Sequence, residues 1–106
     1  MRTNELKRKL QAGQTVIGSF MYVPSAKLTE IVGLIGFDFV VIDMEHGPID
    51  TVVAEDMVRA AELTGMTPLI RVTHNTPHLV LRALDIGAQG VHIPEINTVE
   101  DARIAA

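Results

Sequence analysis

Asp43, Glu45 and His46 stand within four positions of one another, at the end of the most hydrophobic run in the chain. A carboxylate near a histidine can orient one ring nitrogen and raise the basicity of the other, the arrangement that general acid–base chemistry uses. Gly47 and Pro48 follow and can bend the chain so that the imidazole faces a ligand. The plainer reading is an ordinary loop histidine, with Asp43 satisfying nearby backbone amides. Arg71 lies inside PLIRV, an otherwise apolar segment. Burying an arginine without a partner is costly. At a strand end its planar fork can hold a carboxylate or a developing enolate oxygen. A structural ion pair with Asp43 or Glu45 is the alternative. His74 and His78 are four apart but flank the helix start at Thr76-Pro77, which argues against a metal pair. His92 reads as packed or hydrogen-bonded within its strand, and Glu95 as an isolated strand-end carboxylate. H-E-x-x-H, P-loop and G-x-S-x-G patterns do not occur.

The elements that must position these residues alternate regularly. Four extended apolar runs cover Thr15–Tyr22, Phe37–Ile42, Thr67–Val72 and Gly90–Ile96. Such runs suit strands covered on both faces, as in parallel sheets. Between them lie helical patterns. Ser25 caps a helix running to about Gly36, with Leu28, Ile31, Val32 and Ile35 on one stripe. Asp50 caps a second, with Val53, Met57, Ala60, Ala61 and Thr64 at helical spacing and Gly65 as its stop. Thr76-Pro77 opens a third, with Val80, Ala83 and Leu84 inward and Gly87 at its end. Asn97 and Glu100 have capping-box spacing for a fourth. Strict β/α alternation implies parallel strands with right-handed crossovers, either in a doubly wound sheet or in a barrel. The loop after the first strand, Val23-Pro24-Ser25, lacks the glycine-rich fingerprint of many doubly wound folds. In either fold ligands bind at the C-terminal ends of the strands, where Asp43, Glu45, His46, Arg71 and Glu95 fall.

Composition removes several function classes. The 106 residues allow one domain, and 47% hydrophobic with 21% charged residues is a globular balance. The formal net charge is -4, and the only basic cluster is Lys7-Arg8-Lys9, so nucleic-acid binding has no electrostatic support. Aromatic residues, at 4%, are too few for a base-stacking platform. No apolar run reaches the ~20 residues of a membrane span. The chain contains no cysteine, which excludes thiolate sites and suits a reducing cytoplasm.

Several stretches together resemble the HpcH/HpaI family of pyruvate aldolases. GFDFVVIDMEHGP is similar to that family's Gly-Phe-Asp…Asp-x-Glu-His-(Gly/Ala)-Pro segment. LKRKLQAGQTVIGSF, PLIRVTHN and LRALDIGAQGVHIPEINTVEDAR agree with further family segments in order and spacing. The resemblance covers essentially the whole chain and implies a (β/α)8 TIM-type barrel, of which about the first four β/α units are present. Residues 1–106 would then be the N-terminal half of a single barrel domain. The implied reaction is aldol cleavage or condensation of a 2-keto-hydroxy acid, giving pyruvate and an aldehyde by way of an enolate. His46 would be the acid/base oriented by Asp43. Arg71 would contact the keto acid and stabilise the enolate, with Phe20 and Glu45 lining the substrate site. The implied cofactor is a divalent ion (magnesium, manganese or cobalt), with its carboxylate ligands expected beyond Ala106. A homo-oligomer is also implied. Phe20 and His74 stand where relatives often carry tryptophan, and Glu95 where they carry an apolar residue, which bears on aldehyde preference.

A half barrel has two open sheet edges and an uncovered inner face. The expectation is a piece of a longer enzyme, inactive by itself; two copies joining into an eight-stranded barrel are the alternative. A non-catalytic binding or assembly module and a lyase acting on citryl or malyl thioesters are the competing functional readings.

Overall fold

A computed structural model describes residues 2–106. The chain runs α1 (Glu5–Gln11), β1 (Gly18–Met21), α2 (Ala26–Ile35), β2 (Phe39–Asp43), α3 (Thr51–Leu63), β3 (Thr67–Arg71), α4 (Pro77–Asp85), β4 (Gly90–His92) and α5 (Val99–Ala105). The four strands form one parallel sheet in the order β1-β2-β3-β4. This is the expected β/α alternation as a partial barrel, with strands shorter than the apolar runs suggest. The run from Thr15 becomes strand only at Gly18, and the run from Gly90 ends at His92.

Strand alternation gives the sheet two different faces. Met21, Val40, Ile42, Ile70 and Val72 point outward and pack with Ala54, Met57, Val58 and Ala61. Val40, Ile42 and Ile70 are fully buried. Covering such side chains stabilises the fold by about 1.5–3 kcal/mol each. The opposite, inner face carries Phe20, Asp43, Arg71 and His92. A ring contact between Phe20 on β1 and His92 on β4 crosses two intervening strands, so the sheet is strongly curved.

The helices differ from expectation in informative ways. On α2 the buried residues are Thr29 and Gly33. Of the expected inward stripe only Val32 packs on the core; Leu28, Ile31 and Ile35 are exposed, the last at 70%. The cause is close approach to α3: a Cβ at Gly33 would overlap the Thr64 side chain. On α3, Met57, Ala60 and Ala61 are buried as expected. On α4 only Ala83 is fully buried; Leu84 is exposed, while Leu79 and Ile86 pack inward. Ser25 and Asp50 cap their helices through side-chain oxygens, and Gly36, Gly65 and Gly87 follow theirs with positive φ. The α5 capping box falls one residue later than expected. Thr98 is the cap and Asp101 its partner, because Asp101 also accepts from the Asn97 N–H.

Helix α1 has no counterpart in the expected elements. Asn4 caps it, and only Leu6 on it is buried. Asn4 donates to the Gln89 carbonyl, the Leu6 N–H to Thr67 Oγ1, and Lys9 to Asp38. These partners stand at or just before the starts of β4, β3 and β2, so α1 lies across the N-terminal ends of the strands. The opposite rim stays open.

Candidate active site

The last residues of β2 and β3 are hydrogen-bonded neighbours, with Asp43 in register with Arg71. Register partners share a sheet face, so carboxylate and guanidinium meet on the inner side. Arg71 donates from Nε to Asp43 Oδ1 at 3.2 Å and from Nη2 to Oδ2 at 2.6 Å, the two-pronged geometry of a strong pair. Asp43 has no exposed surface, and Oδ1 also accepts the N–H groups of Glu45 and His46. Burial pushes the Asp43 carboxyl up. The Arg71 fork, the two backbone N–H groups and the Arg71 charge outweigh burial and hold it below the usual carboxylate range. The Asp43 hydrogen bond raises the Arg71 pKa against its own desolvation.

A turn after β2 brings His46 back over this pair. The Gly47 N–H closes it on the Asp43 carbonyl, and a Cβ at Gly47 would strike the backbone of Asp43 and Tyr22. His46 Nδ1 lies 2.6 Å from Arg71 Nη2 but 3.8 Å from Asp43 Oδ2. The residue in direct contact with the imidazole is therefore Arg71, where sequence reasoning put Asp43. Arginine only donates, so a hydrogen bond in this contact needs Nδ1 as the acceptor, the tautomer with its proton on Nε2. Glu45 Oε1 stands 3.3 Å from the same Nδ1. It is the available acceptor when Nδ1 carries the proton, and that tautomer frees Nε2 as a base.

The site continues onto β1. The Arg71 guanidinium lies 5.1 Å above the centre of the Phe20 ring, within cation–π range. Tyr22 stacks on Phe20 at 6.3 Å. Tyr22 was legible from its two-residue spacing after Phe20, which puts both on one face. Asp43, Glu45, His46, Arg71 and Phe20 are thus brought together. His74 and His78 are exposed and outside this cluster, His74 contacting Thr73. Asn75 ties the loop after β3 to the Asp101 carbonyl. His92 departs from the expected packed histidine. It is exposed on the inner face, in register with Arg71 and against the Phe20 ring.

Among the described residues no three His, Asp or Glu side chains converge to hold a metal ion. Both Asp43 oxygens are occupied by Arg71 and backbone amides. These residues therefore do not fit a metal-ligand set by themselves. What they can do is present a fixed cation and an imidazole to a small anion. Among the described residues no helix is long and apolar enough to cross a membrane.

A family model described as HpcH/HpaI aldolase/citrate lyase matches residues 17–106. The chain belongs to this family. A pyruvate aldolase of Rhizobium etli is 37% identical over 102 residues, covering 96% of this chain and 40% of the relative. A 5-keto-4-deoxy-D-glucarate aldolase of Salmonella newport is 37% identical over 99 residues, covering 93% of this chain and 39% of the relative. The solved structure of the citrate synthase SbnG superimposes with a TM-score of 0.92 at 33% identity, over 97% of this chain and 42% of that one. The chain thus spans about two fifths of the length of these proteins.

Proposed function

We propose that residues 1–106 form the N-terminal half of one (β/α)8 barrel domain, in an aldolase that interconverts a 2-keto-hydroxy acid with pyruvate and an aldehyde. The observation that carries this reading is the Arg71 fork. It is fixed by Asp43 at the C-terminal end of β3 and touches His46. Nη1 of Arg71 has no partner among the described residues, so one edge of the guanidinium is free for a keto-acid oxygen.

In the cleavage direction the bond between the carbon beside the keto group and the carbinol carbon breaks. The hydroxyl proton passes to His46 Nε2 once the ring proton has moved to Nδ1, where Glu45 replaces Arg71 as its hydrogen-bond partner. The carbinol carbon becomes the aldehyde, and the bonding pair remains on pyruvate as its enolate. The imidazolium then returns the proton to the pyruvate methyl carbon, directly or through water. Arg71 is positive charge set in place before negative charge develops, usually the largest catalytic contribution of a site. The expected cofactor remains a divalent ion (magnesium, manganese or cobalt), with ligands in this reading outside these residues. A cytoplasmic homo-oligomer acting on small keto acids completes the reading.

The test is exchange of the pyruvate methyl protons for deuterium, followed by NMR in the complete protein with magnesium. Exchange is expected, with a loss of about 10²–10⁴-fold in His46→Ala and loss on chelation. A variant that exchanges as fast as the parent would remove His46 from the chemistry. A second reading, cleavage of a citryl or malyl thioester, is favoured by the likeness to a citrate synthase. Thioester cleavage without pyruvate exchange would select it. Neither activity would select the non-catalytic binding module.

A further inference from the structure

His92 takes no part in the proton transfers above, yet it stands on the same wall. It ends β4 in register with Arg71, on the inner face, with its ring exposed. The ring lies 6.0 Å from Phe20 at an interplanar angle of 58°, and the Arg71 guanidinium sits over that same Phe20. Phe20 thus has both Arg71 and His92 as neighbours. The imidazole makes no hydrogen bond to any described residue, so both ring nitrogens are open to a ligand.

The surrounding charge narrows what that ligand is. Asp43 and Glu45 face one cation, Arg71. Glu95 stands three residues beyond His92 and has no ion pair among the described residues. It is also the one non-glycine residue among them with positive φ, at 57°. Such a conformation is unfavourable for glutamate and persists where surrounding structure fixes it. Two carboxylates, Asp43 and Glu45, already face the one guanidinium and disfavour a second carboxylate on the ligand. A neutral imidazole offers one donor and one acceptor, which match a hydroxyl group.

Resting on the aldolase reading, we propose that His92, seated on Phe20 beside Arg71, binds the hydroxyl group of an uncharged hydroxyaldehyde and sets the enzyme's preference for it. The aldehyde then lies along the β4 side of the rim, with its carbonyl toward His46.

The experiment compares pyruvate addition to glycolaldehyde, acetaldehyde and glyoxylate in the complete protein. The three differ by a hydroxyl, a hydrogen and a carboxylate on a common small frame. The parent protein is expected to favour glycolaldehyde in kcat/KM over both others. In His92→Leu the glycolaldehyde-to-acetaldehyde ratio is expected to fall about tenfold, the loss of one neutral hydrogen bond. His92→Gln, which keeps a donor and an acceptor, is expected to retain most of the ratio. Because the readout is a ratio within each variant, a general loss of folded protein cancels. An unchanged ratio in His92→Leu, or a parent that prefers glyoxylate, overturns the proposal while leaving the aldolase reading intact. A parent that neither exchanges the pyruvate methyl protons nor condenses any of the three aldehydes overturns both.

Discussion

The rim formed by β2 and β3 and the rim formed by β4 are built from the same kinds of residue in opposite states. At β2–β3, Asp43 is wholly buried and both its oxygens are bonded, while Arg71 is pinned by a two-pronged pair. At β4, His92 and Glu95 are exposed, and neither makes an ion pair among the described residues. The first rim holds its groups in one geometry, as a group that must meet developing charge requires. The second leaves polar atoms free, as recognition of a variable partner requires. The proposed chemistry and selectivity thus fall on adjoining strands, with Phe20 touching both.

Breaking the locked rim has the largest expected effect. Asp43→Ala removes the partner of Arg71 and the acceptor of two backbone amides. It is expected to destabilise the fold by about 2–4 kcal/mol, and to slow methyl exchange at least 10²-fold. Chemical denaturation and the NMR exchange assay check these. A Glu95→Gln change on the open rim should leave stability within about 0.5 kcal/mol.

Acid probes the same contrast. Burial opposes ionisation of Asp43, but the Arg71 fork and amides prevail; Lys9 lowers Asp38, and the Asn97 N–H lowers Asp101. Each folded pKa lies below its unfolded value of about 3.9. The unfolded chain therefore binds more protons across that interval. Stability from these groups is fully present above about pH 5 and is lost as pH falls through the folded values. Thermal unfolding from pH 7 to pH 3 should show a steady fall beginning below about pH 5, with a shallower fall in Asp43→Asn.

The order of strands and helices was legible because burial on both faces writes continuous apolar runs, and the rim residues followed from where those runs end. Other features were not legible, for physical reasons. The apolar stripe of α2 is real, but its close partner is α3, and that contact sets Gly33 against Thr64. Helix α1 buries only Leu6, too little for an apolar period, and is held by polar links to strand starts. The contact of the His46 imidazole with Arg71, rather than with the Asp43 carboxylate, depends on the turn at Gly47, which residue spacing does not specify. His92 reads as packed or hydrogen-bonded within its strand, and only the sheet's curvature sets it against Phe20.

Smaller changes sharpen these distinctions. Gly33→Ala should cost about 1–3 kcal/mol by forcing α2 from Thr64, read as a lowered denaturation midpoint. Thr98→Ala should cost about 1 kcal/mol through loss of the α5 cap. Asn97→Ala should change stability by less than about 0.5 kcal/mol, because its backbone rather than its side chain meets Asp101.

Arg71 and His46 are proposed to act as one unit at the end of β3. The most direct measurement is a double-mutant cycle on methyl exchange of pyruvate in the complete protein, using Arg71→Lys, His46→Ala and the combination. Lysine keeps a positive charge beside Asp43 but lacks the fork that reaches Nδ1. The double variant is expected to lose little more than the more damaged single variant. Losses that multiply would show two independent residues and contradict it.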